Sequence, residues 1–386
     1  MQRDELTAWI RLTETPGVGN KHARKLLGAF GLPQAIFAQS MTALAQVVGP
    51  TLAAQLCQAP DTAAALTDTT WDWLQQQEAD DVRRRVATLG DPLYPVALLN
   101  LDDPPLLLYL LGNADFGAGD IDPQTSLAVV GSRNPTPQGA ANARQFAKAL
   151  SQAGLTIVSG LALGIDGAAH EGALDAAGDT PRAVTVAVVG TGLDRVYPKA
   201  HHKLAHRIAR HGVLVSEYPL GTPPMNANFP RRNRLIAGLA NGTLVVEAAL
   251  KSGSLITARL ASEQGKDVFA IPGSIHAVQA RGCHALIKQG AKLVESAQDI
   301  LEELHWTGPV DATDSITEST GEKSGSSLFD DNEALLEAMG YDAVSLDALQ
   351  ARTGLSTSDL QAKLMALELD GAASRLPGGL FQRLTT

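Results

Sequence analysis

Residues 127–160 read LAVVGSRNPTPQGAANARQFAKALSQAGLTIVSG, and they carry the pattern that identifies the fold class. Two apolar runs, LAVV and LTIV, each end in glycine and serine and enclose a helical pattern, which is typical of buried parallel strands joined by a crossover helix. Similar runs follow in AVTVAVVG (183–190), GVLVSE (212–217), TLVVEAA (243–249), DVFAIPG (267–273) and AKLVES (291–296). The sequence therefore predicts a doubly wound α/β domain with a mostly parallel sheet, whose ligand crevice lies at the carboxyl ends of the strands.

Other segments flank this domain, which we place at residues 76–306. Residues 1–75 carry five short helical patterns, at 6–12, 21–29, 33–38, 41–48 and 51–57. Residues 90–112 are rich in proline and then strongly apolar, so we expect them to pack onto the α/β domain as an extension. Residues 307–332 are dominated by Ser, Thr, Gly, Asp and Glu, which predicts a flexible linker. Residues 333–386 give three helical patterns and a hairpin at 377–379, the order of a winged helix-turn-helix.

Composition points to a cytoplasmic protein. The 386 residues include two cysteines, Cys57 and Cys283, too few for a disulfide framework, and lack a CxxC or a Cys/His zinc cluster. The N-terminus lacks a signal peptide, and no apolar run is long enough to span a membrane. We therefore expect a reducing compartment and no membrane association.

The formal net charge of −10 argues against a nucleic-acid partner only if it is evenly spread. Residues 1–126 hold 8 basic and 15 acidic side chains, residues 127–300 hold 18 and 11, and residues 301–386 hold 5 and 15. The net charges of these segments are −7, +7 and −10. A basic α/β domain thus lies between acidic flanks.

The loop after the first parallel strand has the composition of an anion site. Gly131, Ser132 and Arg133 end this strand, and a helix begins near residue 140. Glycine allows close backbone approach, a helix start offers free N–H groups, and Ser132, Thr136 and Arg133 add donors for phosphate oxygens. A structural turn with an exposed arginine is the alternative.

Two common nucleotide-binding motifs are absent from the sequence. There is no GxxxxGK[ST], and the dinucleotide fingerprint fails because the second strand ends in Ser159-Gly160 where an acid is required. The glycine-rich loops after the second and third strands enlarge the same crevice. Their acids, Asp166 and Asp194, are each expected to cap a helix or pin a glycine loop rather than to form a catalytic pair.

The most specific stretch is FPRRNR at 229–234. Guanidinium groups bind phosphates bidentately and stack on bases, and Phe229 offers a stacking face, as in single-strand grooves. Because a helix orients the three arginines differently, we expect one or two of them to contact the ligand. At least one should pair with a local acid, Glu247 or Glu217.

A second helix start, KSGSLITA at 251–258, supplies Ser252 and Ser254 to the same crevice. Lys199 follows the third strand's loop, with Lys203 and Arg207 four and eight residues later on one helical face; a solvated face is favoured for the latter two. No nucleophile-base spacing or metal-ligand cluster stands out. We therefore expect phosphate binding without catalysis, metal or cofactor.

These motifs closely resemble the DNA-processing protein A family, also called DprA or Smf. The resemblance runs through GSR (131–133), SGLALGID (159–166), GTGLDRVYP (190–198), FPRRNRLIAGL (229–239), VVEAALKSGSLITA (245–258), VFAIPGSI (268–275) and GCHALIKQGAKLV (282–294). It implies an extended Rossmann-like domain with a SAM-like helical domain in front and a winged helix behind. It also implies a homodimeric, non-enzymatic protein that binds single-stranded DNA and loads RecA during natural transformation, displacing single-strand binding protein.

The resemblance implies a DNA pocket on Arg133, Lys199, Phe229 and the arginines that follow it. We expect Arg133, Lys199 and Arg231 to hold phosphates and Phe229 to stack a base. Two positions depart from the family pattern: Asn226 stands where some relatives have a basic residue, and His201 stands where many have Asn. Asn226 adds no charge, so the salt dependence of binding should be weaker. The predicted DNA-binding set is Gly131, Ser132, Arg133, Ser159, Gly160, Lys199, Asn226, Phe229, Arg231, Arg232, Arg234, Ser252 and Ser254.

Three other features leave alternatives open. Residues 15–19 (TPGVG) resemble a helix-hairpin-helix turn that binds phosphate, or form a purely structural hairpin. The winged helix carries one basic residue, Lys363, on its third helix against three acids, which favours a protein contact or regulatory role over reading the major groove. Leu286, Ile287 and Leu293 near the last strand form either a dimer interface at a sheet edge or part of the core.

A rival hypothesis is a Rossmann-like nucleoside monophosphate phosphoribohydrolase. The PGGxGT loop and following glutamate of such enzymes superficially resemble Asn241-Gly242-Thr243 and Glu247. The sequence LANGTLVVEA lacks the paired glycines of that loop.

Overall fold

The computed structural model describes residues 1–76, 82–113, 121–178, 182–308, 327–341 and 343–384, with the side chains of 327–331 left aside. The N-terminal part is helical: α1 (Arg3–Glu14), α2 (Asn20–Phe30), α3 (Pro33–Phe37), α4 (Met41–Val48), α5 (Pro50–Leu56) and α6 (Asp61–Gln75). All five predicted helical patterns form helices. The prediction omitted α6, whose sequence DTAAALTDTTWDWLQ contains four threonines of low helix propensity. Tertiary packing outweighs that preference, because Thr67, Thr70 and Trp73 are buried.

The centre of the molecule is a nine-stranded sheet in the order β1-β2-β6-β5-β4-β3-β7-β8-β9. Its strands are β1 (Val82–Thr88), β2 (Leu107–Asn113), β3 (Ser126–Val130), β4 (Thr156–Ser159), β5 (Thr185–Val188), β6 (Gly212–Ser216), β7 (Gly242–Val245), β8 (Asp267–Ala270) and β9 (Lys292–Leu293). All neighbours from β6 through β9 pair in parallel. The seven predicted parallel strands are therefore confirmed.

The helices of this domain cover both faces of the sheet, as the doubly wound prediction requires. They are α7 (Pro137–Gln152), α8 (Ile165–Asp175), α9 (His202–His211), α10 (Asn228–Gly238), α11 (Ser254–Glu263), α12 (Arg281–Lys288) and α13 (Ala297–Glu303). From β3 the chain moves outward to β6, then returns through α10 to β7 on the other side of β3. Since crossovers are right-handed, this reversal places α7–α9 on one face and α10–α12 on the other, and opens a crevice between β3 and β7.

Two antiparallel strands extend the sheet beyond the prediction. Residues 90–112 do pack onto the α/β domain, and they contribute β2, which pairs with β6 and with β1. The sequence did not predict β1, because three consecutive arginines, Arg83 to Arg85, break its apolar alternation. Pairing with the apolar β2 supplies the partner that makes this polar stretch a strand.

The C-terminal part has its own core. It contains α14 (Ser327–Met339), β10 (Val344–Ser345), α15 (Leu346–Thr353), α16 (Thr357–Leu369), β11 (Ala373–Leu376) and β12 (Leu380–Arg383). The three strands form a sheet in the order β10-β12-β11, and Leu349, Leu360 and Leu364 are buried between it and the helices. The three predicted helices and the hairpin are present. The predicted linker at 307–332 falls mostly outside the described residues.

No helix in the described part of the chain combines the length and the apolarity needed to cross a bilayer.

Candidate functional site

A cleft of about 570 Å³ opens at the carboxyl end of β3, at the point where the strand order reverses. Three segments contribute most of its wall: the loop after β3, the start of α10 and the turn before α11. Eight of the thirteen predicted binding residues line it, namely Gly131, Ser132, Arg133, Asn226, Phe229, Arg232, Ser252 and Ser254. The crevice rule for open α/β sheets thus located the cleft.

The loop after β3 is held rigidly from both sides. The Ser132 N–H donates to the Glu247 carbonyl at 2.7 Å, and the Ser132 carbonyl accepts from the Ile165 N–H at 3.1 Å. A Cβ at Gly131 would lie 2.6 Å from Ile165 and 2.9 Å from the Glu247 carbonyl oxygen. The absence of a side chain at Gly131 therefore allows Ile165 and the Glu247 carbonyl to approach closely. The sequence had predicted that a ligand would approach there.

The Thr136 hydroxyl, expected to donate to a phosphate, is already engaged. It donates to Glu247 Oε1 at 2.6 Å and accepts from the Gly139 N–H at 3.0 Å, while the Thr136 N–H donates to Glu247 Oε2 at 2.9 Å. Burial raises the pKa of Glu247, and these hydrogen bonds oppose that rise. Thr136 thus caps the start of α7 and is held there by the Glu247 carboxylate, so the expectation that its hydroxyl donates to a phosphate is wrong.

Arg133 and two aromatic rings form a stacked group at the rim of the cleft. The Arg133 guanidinium carbon lies 5.3 Å from the centre of the Phe229 ring, within the range of a cation–π contact. The Tyr197 ring lies 5.5 Å from Phe229, tilted by 32°. Tyr197 was not predicted as a site residue, although it lies within the glycine-rich loop GTGLDRVYP at 190–198. We call Arg133, Phe229 and Tyr197 the stacking group.

Arg232 forms the floor of the cleft and is almost completely buried. Its Nη1 donates to the carbonyls of Gly160 and Val188, at the ends of β4 and β5, and its Nη2 lies 4.0 Å from Asp166 Oδ2. Burial lowers the pKa of Arg232 to about 10 and raises that of Asp166, and the pair limits both shifts. Arg232 therefore joins three segments beneath the cleft.

The two acids expected to pin glycine loops do so. Asp166 Oδ2 accepts from the Ala162 N–H at 3.3 Å, within its own loop. Asp194 Oδ1 accepts from the Gly221 N–H at 2.8 Å and so ties its loop to the one after β6. Each of these two carboxylates therefore stabilises loop backbone, as expected.

The other two arginines of FPRRNR point elsewhere. Arg234 forms a buried ion pair with Glu217, their side chains 13% and 6% exposed, which confirms the predicted pairing with Glu217. Glu247 is wrong as the alternative partner. Arg231 is 57% exposed and lies 3.9 Å from Asp103. Among the described residues that line the cleft, neither Arg231 nor Arg234 appears.

Three further predicted residues lie outside the lining of the cleft. Ser159 is buried and donates to the Val129 carbonyl at 2.6 Å, and Gly160 gives its space to Arg232. Lys199 is exposed in a short 3₁₀ helix, Lys199–His201, two residues after Tyr197. Lys199 therefore lies beside the stacking group rather than in the cleft.

The opposite wall is the turn before α11. Ser252 Oγ and Ser254 Oγ are 2.7 Å apart, and Asn233 Nδ2 donates to the Gly253 carbonyl at 3.2 Å. A Cβ at Gly253 would meet no described atom within 4 Å, so this backbone is open to a ligand. Lys251 also lines the cleft and is exposed. From its sequence motif, only Ser252 and Ser254 were predicted to belong to the site, and Lys251 was not.

The predicted dimer residues divide into two groups. Leu286 and Ile287 pack partly buried against the core of the α10–α12 layer. Leu293 is 43% exposed in β9, the last strand of the sheet. The dimer itself stays a prediction.

Comparison with known proteins shows the family. The family model "DNA recombination-mediator protein A" matches residues 85–305, more than half of the chain. The chain belongs to this recombination-mediator protein A family. A second model, the DprA winged helix domain, matches residues 320–379 and agrees with the winged helix of the C-terminal part. The resemblance found in the motifs is thereby confirmed.

Individual members of the recombination-mediator family match over most of their length. Protein Smf of Escherichia coli is 40% identical over 314 residues, covering 80% of this chain and 78% of that protein. The X-ray structure of DprA from Streptococcus pneumoniae superposes with a TM-score of 0.63 at 37% identity, covering 78% of this chain and 98% of that one. DprA from Helicobacter pylori gives a TM-score of 0.50 at 31% identity, covering 58% and 98%, and its structure is described for its single-stranded DNA binding mode.

Proposed function

We propose that this member of the recombination-mediator family binds single-stranded DNA in the cleft and acts without cutting it. The stacking group carries the proposal, because it places a guanidinium and an aromatic face together at an open cleft. Single-strand grooves combine cations for the phosphates with aromatic faces for the bases, and stacking contributes about 1–3 kcal/mol per base. The single-stranded DNA binding described for the Helicobacter pylori relative supports the same ligand.

Roles follow from the positions of the side chains. Arg133 and Lys251 hold phosphates from opposite walls, and Phe229 stacks a base. Ser252 and Asn226 donate hydrogen bonds without adding charge. Lys199 holds a phosphate beside the stacking group, outside the cleft. Arg231, first expected to hold a phosphate, is turned toward Asp103 and contributes least.

Arg133→Ala combined with Lys199→Ala tests the site. We expect weaker binding of oligo-dT, measured by fluorescence anisotropy across salt concentrations. Each lost phosphate contact should also lower the slope of log K against log salt by about 0.7. The matched control, Lys148→Ala with Arg259→Ala, removes two exposed positive charges elsewhere and should bind as the parent does. Parent-like binding and slope in the Arg133/Lys199 variant would refute the site.

The rival phosphoribohydrolase hypothesis is not favoured. Its catalytic glutamate would correspond to Glu247, but both Glu247 carboxylate oxygens accept hydrogen bonds from Thr136. Glu247 is also absent from the described lining of the cleft. Incubation with nucleoside monophosphates should release no free base; release by the parent, abolished in Glu247→Gln, would restore this alternative.

The partners that we propose are RecA, single-strand binding protein and a second copy of the chain, in the cytoplasm during natural transformation. The recombination-mediator family supports this role. The chain should speed RecA assembly on DNA coated with single-strand binding protein, read as RecA ATP hydrolysis. The Arg133/Lys199 variant should do so less, since it holds the strand more weakly. Equal stimulation by both proteins would contradict a role that depends on the cleft.

A further inference from the structure

The exposed side of α9 is made only of basic and imidazole side chains. The helix reads HKLAHRIARH, and its four apolar residues, Leu204, Ala205, Ile208 and Ala209, are all buried. The remaining six positions are all exposed. We call these residues the α9 basic face: His202, Lys203, His206, Arg207, Arg210 and His211.

Among the described residues, no carboxylate forms an ion pair with Lys203, and Arg207 reaches only one that it shares with another arginine. The helix contains no Asp or Glu. Arg207 Nη2 lies 3.8 Å from Asp175 Oδ1 on the neighbouring α8, but Asp175 is already held by Arg144 at 2.6 Å. Lys203 and Arg207 are four residues apart, and a pair of like charges at this spacing destabilises a helix. The face therefore gains from an anion that spans it.

The α9 basic face is continuous with the stacking group. Phe229 lines the cleft, the Tyr197 ring packs on it, and the chain then passes through the 3₁₀ helix at Lys199 directly into α9 at His202. His201, between them, is fixed by a 3.0 Å hydrogen bond between its Nδ1 and the Leu161 carbonyl. Lys199, Lys203 and Arg207 were predicted to share one helical face. Lys199 lies in the 3₁₀ turn before α9, so that face begins at His202 and does not include Lys199.

Resting on the proposed function, we propose that a bound single strand leaves the cleft past Tyr197 and Lys199 and lays its phosphodiester backbone along the α9 basic face. Lys203 and Arg207 neutralise phosphates, while His202 and His206, whose ring centres are 4.6 Å apart, donate hydrogen bonds. Ten residues of α-helix span about 15 Å, the length of a short run of nucleotides. The face thus extends the binding site without reading sequence.

Oligonucleotide length provides the test. The variant Lys203→Gln with Arg207→Gln keeps good helix formers at exposed positions, and Lys203→Arg with Arg207→Lys keeps both charges. Lys148→Gln with Arg259→Gln is the matched loss of charge elsewhere. All are compared as full chains with oligo-dT of about 6 nucleotides, short enough for the cleft, and about 20 nucleotides, long enough to leave it.

We expect the Gln variant to bind the long oligonucleotide several-fold more weakly, with a salt slope lower by about 1.4, and to bind the short one as the parent does. The charge-keeping variant and the Lys148/Arg259 control should match the parent with both lengths. Parent-like binding of the long oligonucleotide by the Gln variant would overturn the proposal. So would equal losses for both lengths, which would indicate a general charge effect. Failure of the proposed function is distinguishable, because Arg133→Ala would then leave the short oligonucleotide bound normally.

Discussion

At the scale of single residues, three arginines that look alike in FPRRNR have three different environments. Arg232 is buried beneath the cleft, Arg234 is paired with Glu217 and Arg231 is exposed. Helical geometry predicted that they would diverge. Which of them is buried depends on the carbonyls of Gly160 and Val188, which lie far away in the chain.

Arg232→Met should be strongly destabilising. It would leave two buried carbonyls and Asp166 without their partner, and removal of one member of a buried charged pair costs about 3–5 kcal/mol. Arg231→Met removes an exposed side chain and should change the free energy of unfolding by less than about 0.5 kcal/mol. Urea unfolding followed by circular dichroism compares the two. Similar losses in both variants would show that Arg232 does not hold the floor together.

His170 should make the protein sensitive to acid. The Thr185 hydroxyl donates to the Ile157 carbonyl, so His170 Nδ1 donates to Thr185 Oγ1 at 2.7 Å and the basic atom is Nε2. This buried Nε2 has no hydrogen-bond partner among the described residues. Burial, with smaller contributions from His201 and Arg232, lowers the pKa of His170 to about 3.

In the unfolded chain histidine has a pKa near 6.5. Between about pH 6.5 and 3, the unfolded chain therefore binds more protons at this residue than the folded protein does, and protonation favours the unfolded state. Stability is therefore lost as the pH falls through this range, by up to about 1.4 kcal/mol per pH unit from this residue. His170→Gln should lose stability less steeply between about pH 6.5 and 4.5. Urea unfolding at several pH values measures the difference, and identical pH profiles would contradict the assignment.

At the scale of elements, the cleft is built from loops that hold one another. Glu247, just after β7, caps α7 through Thr136, and its backbone carbonyl anchors Ser132. A Cβ at Gly139 would come within 2.3 Å of the Glu247 carboxylate, so only glycine leaves room for this cap. The loop that carries Arg133 is thus positioned by a different strand.

Glu247→Ala should loosen that loop. Two hydrogen bonds to the carboxylate are lost, and we expect a destabilisation of about 1–3 kcal/mol together with weaker oligo-dT binding. Glu263→Ala is the control, since among the described residues Glu263 contributes one exposed ion pair, with Arg259, worth about 0–1 kcal/mol. Thermal unfolding and anisotropy measure the two effects. If the Glu247→Ala variant were destabilised but bound DNA with full affinity, the hydrogen bonds of Glu247 would not be what positions Arg133.

At the scale of the whole molecule, the sheet ends in a short strand. β9 pairs with β8, and on its other side the described chain provides no further strand. Leu293 is exposed there, which suits an edge covered by a second copy.

Leu293→Lys should therefore weaken the proposed dimer, because it places a charge at the interface. Light scattering after gel filtration should show a lower mass at equal concentration. Leu369→Lys, a change at an 81% exposed leucine of α16, is the matched control and should leave the mass unchanged. If the Leu293→Lys variant had the same mass as the parent, Leu293 would not belong to the dimer interface.

The sequence alone predicts the parallel strands, the crevice at their carboxyl ends and the winged helix. These features depend on apolar runs, glycines and turn residues, which are local along the chain. It also placed Arg133, Phe229 and the turn at Ser252 on one cleft, because the carboxyl ends of parallel strands meet at one edge.

Which polar groups remain available to a ligand depends on the folded structure. Thr136 is bound by Glu247 and Arg234 is paired with Glu217, so neither is available. Lys251 lines the cleft, and Tyr197 borders it by packing on Phe229. Strand β1 likewise needed β2 as its partner. The physical reason is that a buried polar group must find a hydrogen-bond partner, and these partners come from segments distant in sequence, so the local pattern cannot specify them.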